Sequence, residues 1–267
     1  MKTMILILLT IFTSILRGEE NNCIGYSDSN AEVLHCVIKP TYYNEKIHLY
    51  IPLESIEKIT TMAIHLHGFN LDHYDHFNKS YGDYGKYLIT SKANAVLVIP
   101  ESRGKSETYN SYFSDEKRTE FFISELKKTI YDLIHESPQT IFLSGHSGSY
   151  KSLNQILKYK SVFESVKAVG LFDATYGDTG QIQKWVRENY KNQNGDFIFY
   201  NVYVTGEKAT AEKGSLILQK TFRDYEKDNI ILLPIKGPGE TLDQHFNILK
   251  VGGLTQFWEK ASTLKFK

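Results

Sequence analysis

The hexapeptide Ser144-Gly145-His146-Ser147-Gly148-Ser149 sets a serine between two glycines, directly after the apolar run Thr140 to Leu143. A serine hydroxyl attacks a carbonyl only when a base takes its proton and hydrogen-bond donors stabilise the oxyanion that forms. A sharp strand-to-helix turn solves the geometry. It lifts the side chain above a sheet and aims the N–H groups of the helix N-terminus at the reacting carbonyl. Backbone segments approach closely in such a turn, so small residues must flank the nucleophile. Gly145 and Gly148 meet that need, and Ser149 is small enough for the last position. Ser147 is therefore the candidate nucleophile.

From about Thr61 to the C-terminal helix the sequence resembles the α/β-hydrolase family. Gly145-His146-Ser147-Gly148-Ser149 is similar to the family's Gly-x-Ser-x-Gly nucleophile elbow and departs from it only at the last position. His67-Gly68 ends an earlier strand, as does the His-Gly that precedes the oxyanion-hole residue in many members. This implies the N–H groups of Phe69 and Gly148 as the oxyanion donors. Pro100-Glu101-Ser102-Arg103-Gly104-Lys105-Ser106 is similar to the family's Asp-x-Arg-Gly-x-Gly-x-Ser loop with one glycine missing, and Arg103 is expected to anchor it. His245 in Asp243-Gln244-His245-Phe246 follows the last strand, where the family keeps its base. These matches fall in the family's order.

The resemblance implies acyl transfer to water: His245 deprotonates Ser147, which attacks a carbonyl, and water later releases the acyl group. A carboxylic ester of a small or lipid-like molecule is the first expectation, an amide or peptide the second. No cofactor or metal is called for. Two carboxylates could orient His245. Asp173 ends the strand after the nucleophile and is followed by small Ala174 and the turn-like Tyr176-Gly177-Asp178; Glu207 ends the next strand, in a Lys-flanked stretch. Asp173 is preferred and Glu207 is the alternative. Asp243 reads as a loop residue, and His146, unable to serve as base to its own neighbour, as a packing or pocket-lining residue.

A rival chemistry lies in His65 to His76, where His65, His67, Asp72, His73, Asp75 and His76 are collected. Imidazole and carboxylate together suit Zn²⁺, which makes hydroxide from bound water at neutral pH. The gap between His67 and Asp72-His73 is too long for the His-x-His-x-Asp-His motif of metallo-β-lactamase-like hydrolases. A metal-dependent hydrolase thus stands as one alternative. A non-catalytic binding protein with the hydrolase fold is the other.

These residues need a mostly parallel sheet to hold them, and the sequence supplies strand-like runs alternating with helix-length segments. Glu32 to Ile38 and Lys46 to Ile51 read as an opening pair of strands. They are followed by Thr61 to Leu66, Ala95 to Ile99, Thr140 to Leu143, Val166 to Phe172, Phe197 to Val204 and Ile230 to Ile235. Helical spacing marks Glu116 to His135, a segment from Tyr150 to Leu157, one helix around Trp185 and a closing helix from Leu242 onward. The expected architecture is an α/β-hydrolase fold, with helices flanking the sheet and no large lid domain. That leaves an open, shallow pocket, with Tyr109, Tyr112 and Phe113 as one possible wall or as ordinary surface.

With 267 residues, a formal net charge of zero and 41% hydrophobic residues, the chain reads as one globular domain with no electrostatic pull towards nucleic acid. Lys2, the uncharged run Met4 to Leu16 and the polar exit Arg17-Gly18-Glu19-Glu20 have the shape of a secretory signal peptide. Residues 1–18 are assigned to that signal and 19–267 to a single domain, secreted or periplasmic, with no stable membrane insertion after cleavage. In that oxidising compartment Cys23 and Cys36 are expected to pair.

Overall fold

A continuous apolar run such as Ala95 to Ile99 has no polar side to turn towards water, so it is stable as a strand only when covered on both faces. The computed structural model describes residues 21–28, 31–40, 42–43, 45–54, 59–68, 84–102, 109–192, 196–206, 209–225, 228–236, 244–245, 247–249 and 253–264. The described strands are β1 (Asn21–Asp28), β2 (Ala31–Ile38), β3 (Ile47–Pro52), β4 (Thr61–Leu66), β5 (Ala95–Pro100), β6 (Thr140–His146), β7 (Val166–Phe172), β8 (Ile198–Val204) and β9 (Ile230–Ile235). They form one sheet in the order β1-β2-β3-β5-β4-β6-β7-β8-β9. Pairing is antiparallel from β1 to β5 and parallel from β5 through β9.

Helices cover both faces. The described ones are α1 (Tyr84–Ser91), α2 (Asn110–Phe113), α3 (Glu116–Ile134), α4 (Tyr150–Ile156), α5 (Lys160–Phe163), α6 (Gly180–Lys191), α7 (Glu212–Thr221) and α8 (Leu254–Ser262). Successive strand residues point to opposite faces. In β5, Val96 and Val98 join one core with Phe122, Leu126, Leu153, Trp185 and Leu218 of α3, α4, α6 and α7. Ala95, Leu97 and Ile99 join the other with Leu88 of α1 and Phe257 and Trp258 of α8. α3 starts where Asp115 accepts a hydrogen bond from the Arg118 N–H, and stops at His135, which takes a left-handed conformation. β9 is an edge, and its Pro234 therefore costs no interior ladder bond.

Two expectations change. β1 extends the opening pair to three strands; its polar sequence gives no apolar alternation to read. The closing segment is helical at 244–245 and 247, as expected from Leu242 onward, and its long helix is α8; residues 241–243 lie outside the described ones. Tyr109, Tyr112 and Phe113 form no pocket wall: they are 1%, 0% and 2% exposed, packed with Phe122 in the core. The presumed signal, residues 1–18, lies outside the described residues.

Cys23 of β1 and Cys36 of β2 face each other in the ladder and form a disulfide with an S–S distance of 2.06 Å. It closes a short loop, the 13-residue separation between them. In the chain-entropy account such a bridge stabilises by about 3 kcal/mol. Replacing both cysteines by serine is expected to lower Tm by roughly 5–10 °C, measured by thermal unfolding under non-reducing conditions. Reducing agent should then lower the wild-type Tm but not that of the variant.

Candidate active site

The chain lays β4 first, then β5 on one side of it, and returns across to place β6 on the other. Such a reversal opens a crevice at the carboxyl ends of the strands, where α/β proteins place ligands. His67-Gly68 leaves β4 there, and β6 ends there at His146.

Ser147 follows β6 in a 3₁₀ turn, Ser147–Ser149, that leads into α4. Its φ of 55° is a left-handed conformation, uncommon for a residue with a Cβ and costing ~1 kcal/mol or more. The fit around it is close. A Cβ on Gly68 would lie 2.9 Å from Ser147 Cβ and 2.9 Å from His146 Nδ1, so the end of β4 presses on the elbow. A Cβ on Gly145 would meet the Ser149 hydroxyl, and that hydroxyl donates to the His146 carbonyl at 2.8 Å. The residue that departs from the motif is thus accommodated by its own hydrogen bond.

His245 brings its Nε2 to 3.0 Å from Ser147 Oγ and its Nδ1 to 2.5 Å from Asp173 Oδ2. The Nδ1–H donates to the carboxylate, which leaves Nε2 as the acceptor facing the serine. Both partners are largely withdrawn from water, with side chains 13% and 5% exposed. Asp173 directly follows β7 and, like Ser147, has a left-handed backbone, with φ 45°. β8 holds it there: the Asp173 N–H donates to the Val202 carbonyl at 2.7 Å, and the Val204 N–H donates to Asp173 Oδ1 at 3.0 Å. The structure therefore brings Ser147, His245 and Asp173 together, from three separated stretches of chain. Gly148 sits beside Ser147 in the turn. Phe69 and Glu207 lie outside the described residues.

His146 has a larger part than packing. Its Nε2–H donates to the backbone carbonyl of His245 at 2.9 Å, and the two rings stack with centroids 4.6 Å apart. Burial, reinforced by the charge of His245, holds its pKa well below the usual histidine value, so it serves as a neutral donor. Sequence reasoning missed this strut because its partner is 99 residues away.

The histidines of the rival metal reading divide. His65 is fully buried, its Nδ1 lies 2.9 Å from Ser144 Oγ, and burial followed by the charge of His67 lowers its pKa to about 3. His67 donates Nδ1–H to the Gly68 carbonyl at 2.9 Å and accepts the Ser102 N–H on Nε2 at 3.2 Å. Both nitrogens of His67 are thus spent on bracing the ends of β4 and β5. Asp72, His73, Asp75, His76 and Arg103 lie outside the described residues. Among the described residues no group of three or more His, Cys, Asp or Glu is placed to hold a metal ion.

No protein-family model and no curated protein matches the sequence. Similarity appears among solved structures. An S-formylglutathione hydrolase from Agrobacterium tumefaciens has a TM-score of 0.54 at 14% identity, over 89% of this chain and 99% of that one. A feruloyl esterase module from Clostridium thermocellum has a TM-score of 0.55 at 10% identity, over 92% and 89%. A cold-adapted esterase from an Arctic intertidal metagenomic library has a TM-score of 0.53 at 9% identity, over 91% and 99%. At such identities the likeness is one of fold. The chain has the α/β-hydrolase fold, with a mostly parallel sheet flanked by helices.

Proposed function

We propose that the protein is an exported serine hydrolase that cleaves a carboxylic ester through an acyl-enzyme. The observation that carries this reading is the line Asp173 Oδ2, His245, Ser147 Oγ, with steps of 2.5 and 3.0 Å. In it His245 takes the Ser147 proton through Nε2, and Asp173 keeps the ring in the required tautomer and balances the imidazolium charge. Ser147 Oγ attacks the carbonyl carbon, and the N–H groups of Phe69 and Gly148 receive the oxyanion. His245 returns the proton to the leaving oxygen. The same steps with water then free the acid. The contact to Nδ1 supports Asp173 as the triad acid over Glu207.

The esterases among the similar structures support an ester substrate, small or lipid-like, ahead of an amide or peptide. Export is the natural companion of the Cys23–Cys36 disulfide and of residues 1–18 as a signal, with 19–267 as one domain. Among the described residues no helix is long and apolar enough to cross a membrane.

A fluorophosphonate probe tests the reading. The purified protein is expected to become covalently labelled, and peptide mapping should find the phosphonyl group on Ser147. An unlabelled protein would favour a non-catalytic binding role. Ester turnover that chelators abolish, without any labelling, would favour the metal-dependent alternative.

A further inference from the structure

The turn after β7 carries a second polar group that reaches back over the site. The Tyr176 hydroxyl lies 3.3 Å from His245 Nδ1 and donates to Asp173 Oδ2 at 3.5 Å. The side chains of Ser147 and Thr210 bear on the same hydroxyl. Its ring meets His245 edge to face, with centroids 6.2 Å apart, and leans on Tyr150. Yet Tyr176 is 37% exposed, so part of it faces solvent beside the imidazole.

Its placement is built from both sides. The Thr175 hydroxyl donates to the Ala211 carbonyl at 2.6 Å and pairs with Ser215 Oγ at 2.7 Å. A Cβ on Gly214 of α7 would come within 1.9 Å of the Thr175 carbonyl oxygen, so the helix touches the turn's backbone. A Cβ on Gly177 would meet the Tyr150 hydroxyl at 2.6 Å. Both neighbours of Tyr176 are thereby pinned. Burial, followed by the charge of Asp173, pushes the phenol's pKa upward, so it remains a protonated donor through the neutral range.

We infer that Tyr176 is a further catalytic residue, whose O–H donates a hydrogen bond to the leaving-group oxygen as the acyl carbon–oxygen bond breaks. This rests on the serine-hydrolase reading above. The bond from Ser147 Oγ to the acyl carbon forms and the Ser147 proton passes to His245 Nε2. On collapse the bond to the leaving oxygen breaks, and that oxygen takes the proton from His245. Tyr176 keeps its own proton throughout. At rest its O–H points to Asp173 across 3.5 Å, a long contact that is readily exchanged for a substrate oxygen.

An alkoxide departs poorly without such a donor, whereas 4-nitrophenolate departs readily. The test is Tyr176→Phe assayed on the ethyl and the 4-nitrophenyl ester of one acid. The loss in kcat/KM on the ethyl ester is expected to exceed that on the aryl ester by about tenfold or more. Both esters are read on one preparation, so the ratio is independent of how much of the variant is folded. An unchanged or reversed ratio in an enzyme that depends on Ser147 would overturn the inference alone. Ester turnover that survives Ser147→Ala would instead overturn the hydrolase reading beneath it.

Discussion

Ser147→Ala is expected to lower kcat/KM for an ester by about five to six orders of magnitude and to abolish fluorophosphonate labelling, with the fold intact. Ser147 stands where β6 turns into α4, with its hydroxyl 3.0 Å from His245 Nε2. Alanine keeps the Cβ that already fits against Gly68, so it introduces no clash. It does retain the left-handed φ of 55°, so the strain stays while the hydroxyl that makes use of it is gone. A residual rate of about 10³–10⁴ over water is expected, because the N–H donors and the binding surface survive. The measurement is a progress curve at high enzyme concentration, beside a circular-dichroism melt. A fall of less than a hundredfold would remove Ser147 from the mechanism.

Asp173→Asn is expected to cost about 10⁴ in kcat while changing KM little. The carboxylate now accepts the Nδ1–H of His245 on one oxygen and the Val204 N–H on the other. An asparagine that keeps its oxygen on Val204 must turn its NH₂ towards His245. The ring then accepts on Nδ1 and carries its proton on Nε2, facing Ser147, where it can no longer act as a base. Asparagine tolerates a positive φ, so the 45° at this position is no obstacle to folding. Glu207→Gln serves as the comparison and should leave kcat within a few-fold. The reverse pattern would transfer the acid's role to Glu207.

Where the chain's chemistry is local, the sequence could be read directly. The elbow is legible because small residues, an apolar strand and a helix lie within one short stretch, and β6 and α4 fall where that stretch predicts. The parallel strands are legible because burial on both faces makes them uniformly apolar. β1 is not, because an edge strand tied by a disulfide needs no apolar face. Tyr109, Tyr112 and Phe113 read as a wall or as plain surface because a short aromatic run carries no sign of what covers it, and packing with Phe122 puts them in the core instead. The choice between Asp173 and Glu207 turns on which strand end faces His245, and that depends on strand order. His146 and Tyr176 reach His245 across separations of 99 and 69 residues, a distance over which sequence spacing holds no information.

The bond from His146 to the His245 carbonyl also has a consequence for how the chain can vary. Two consecutive residues of the elbow grip His245, one by its backbone and the next by its ring. The elbow thus helps to locate His245 from two sides, beside the contact of its Nδ1 with Asp173. In the proposed mechanism, the alignment of Ser147 with His245 is therefore inherited with the elbow.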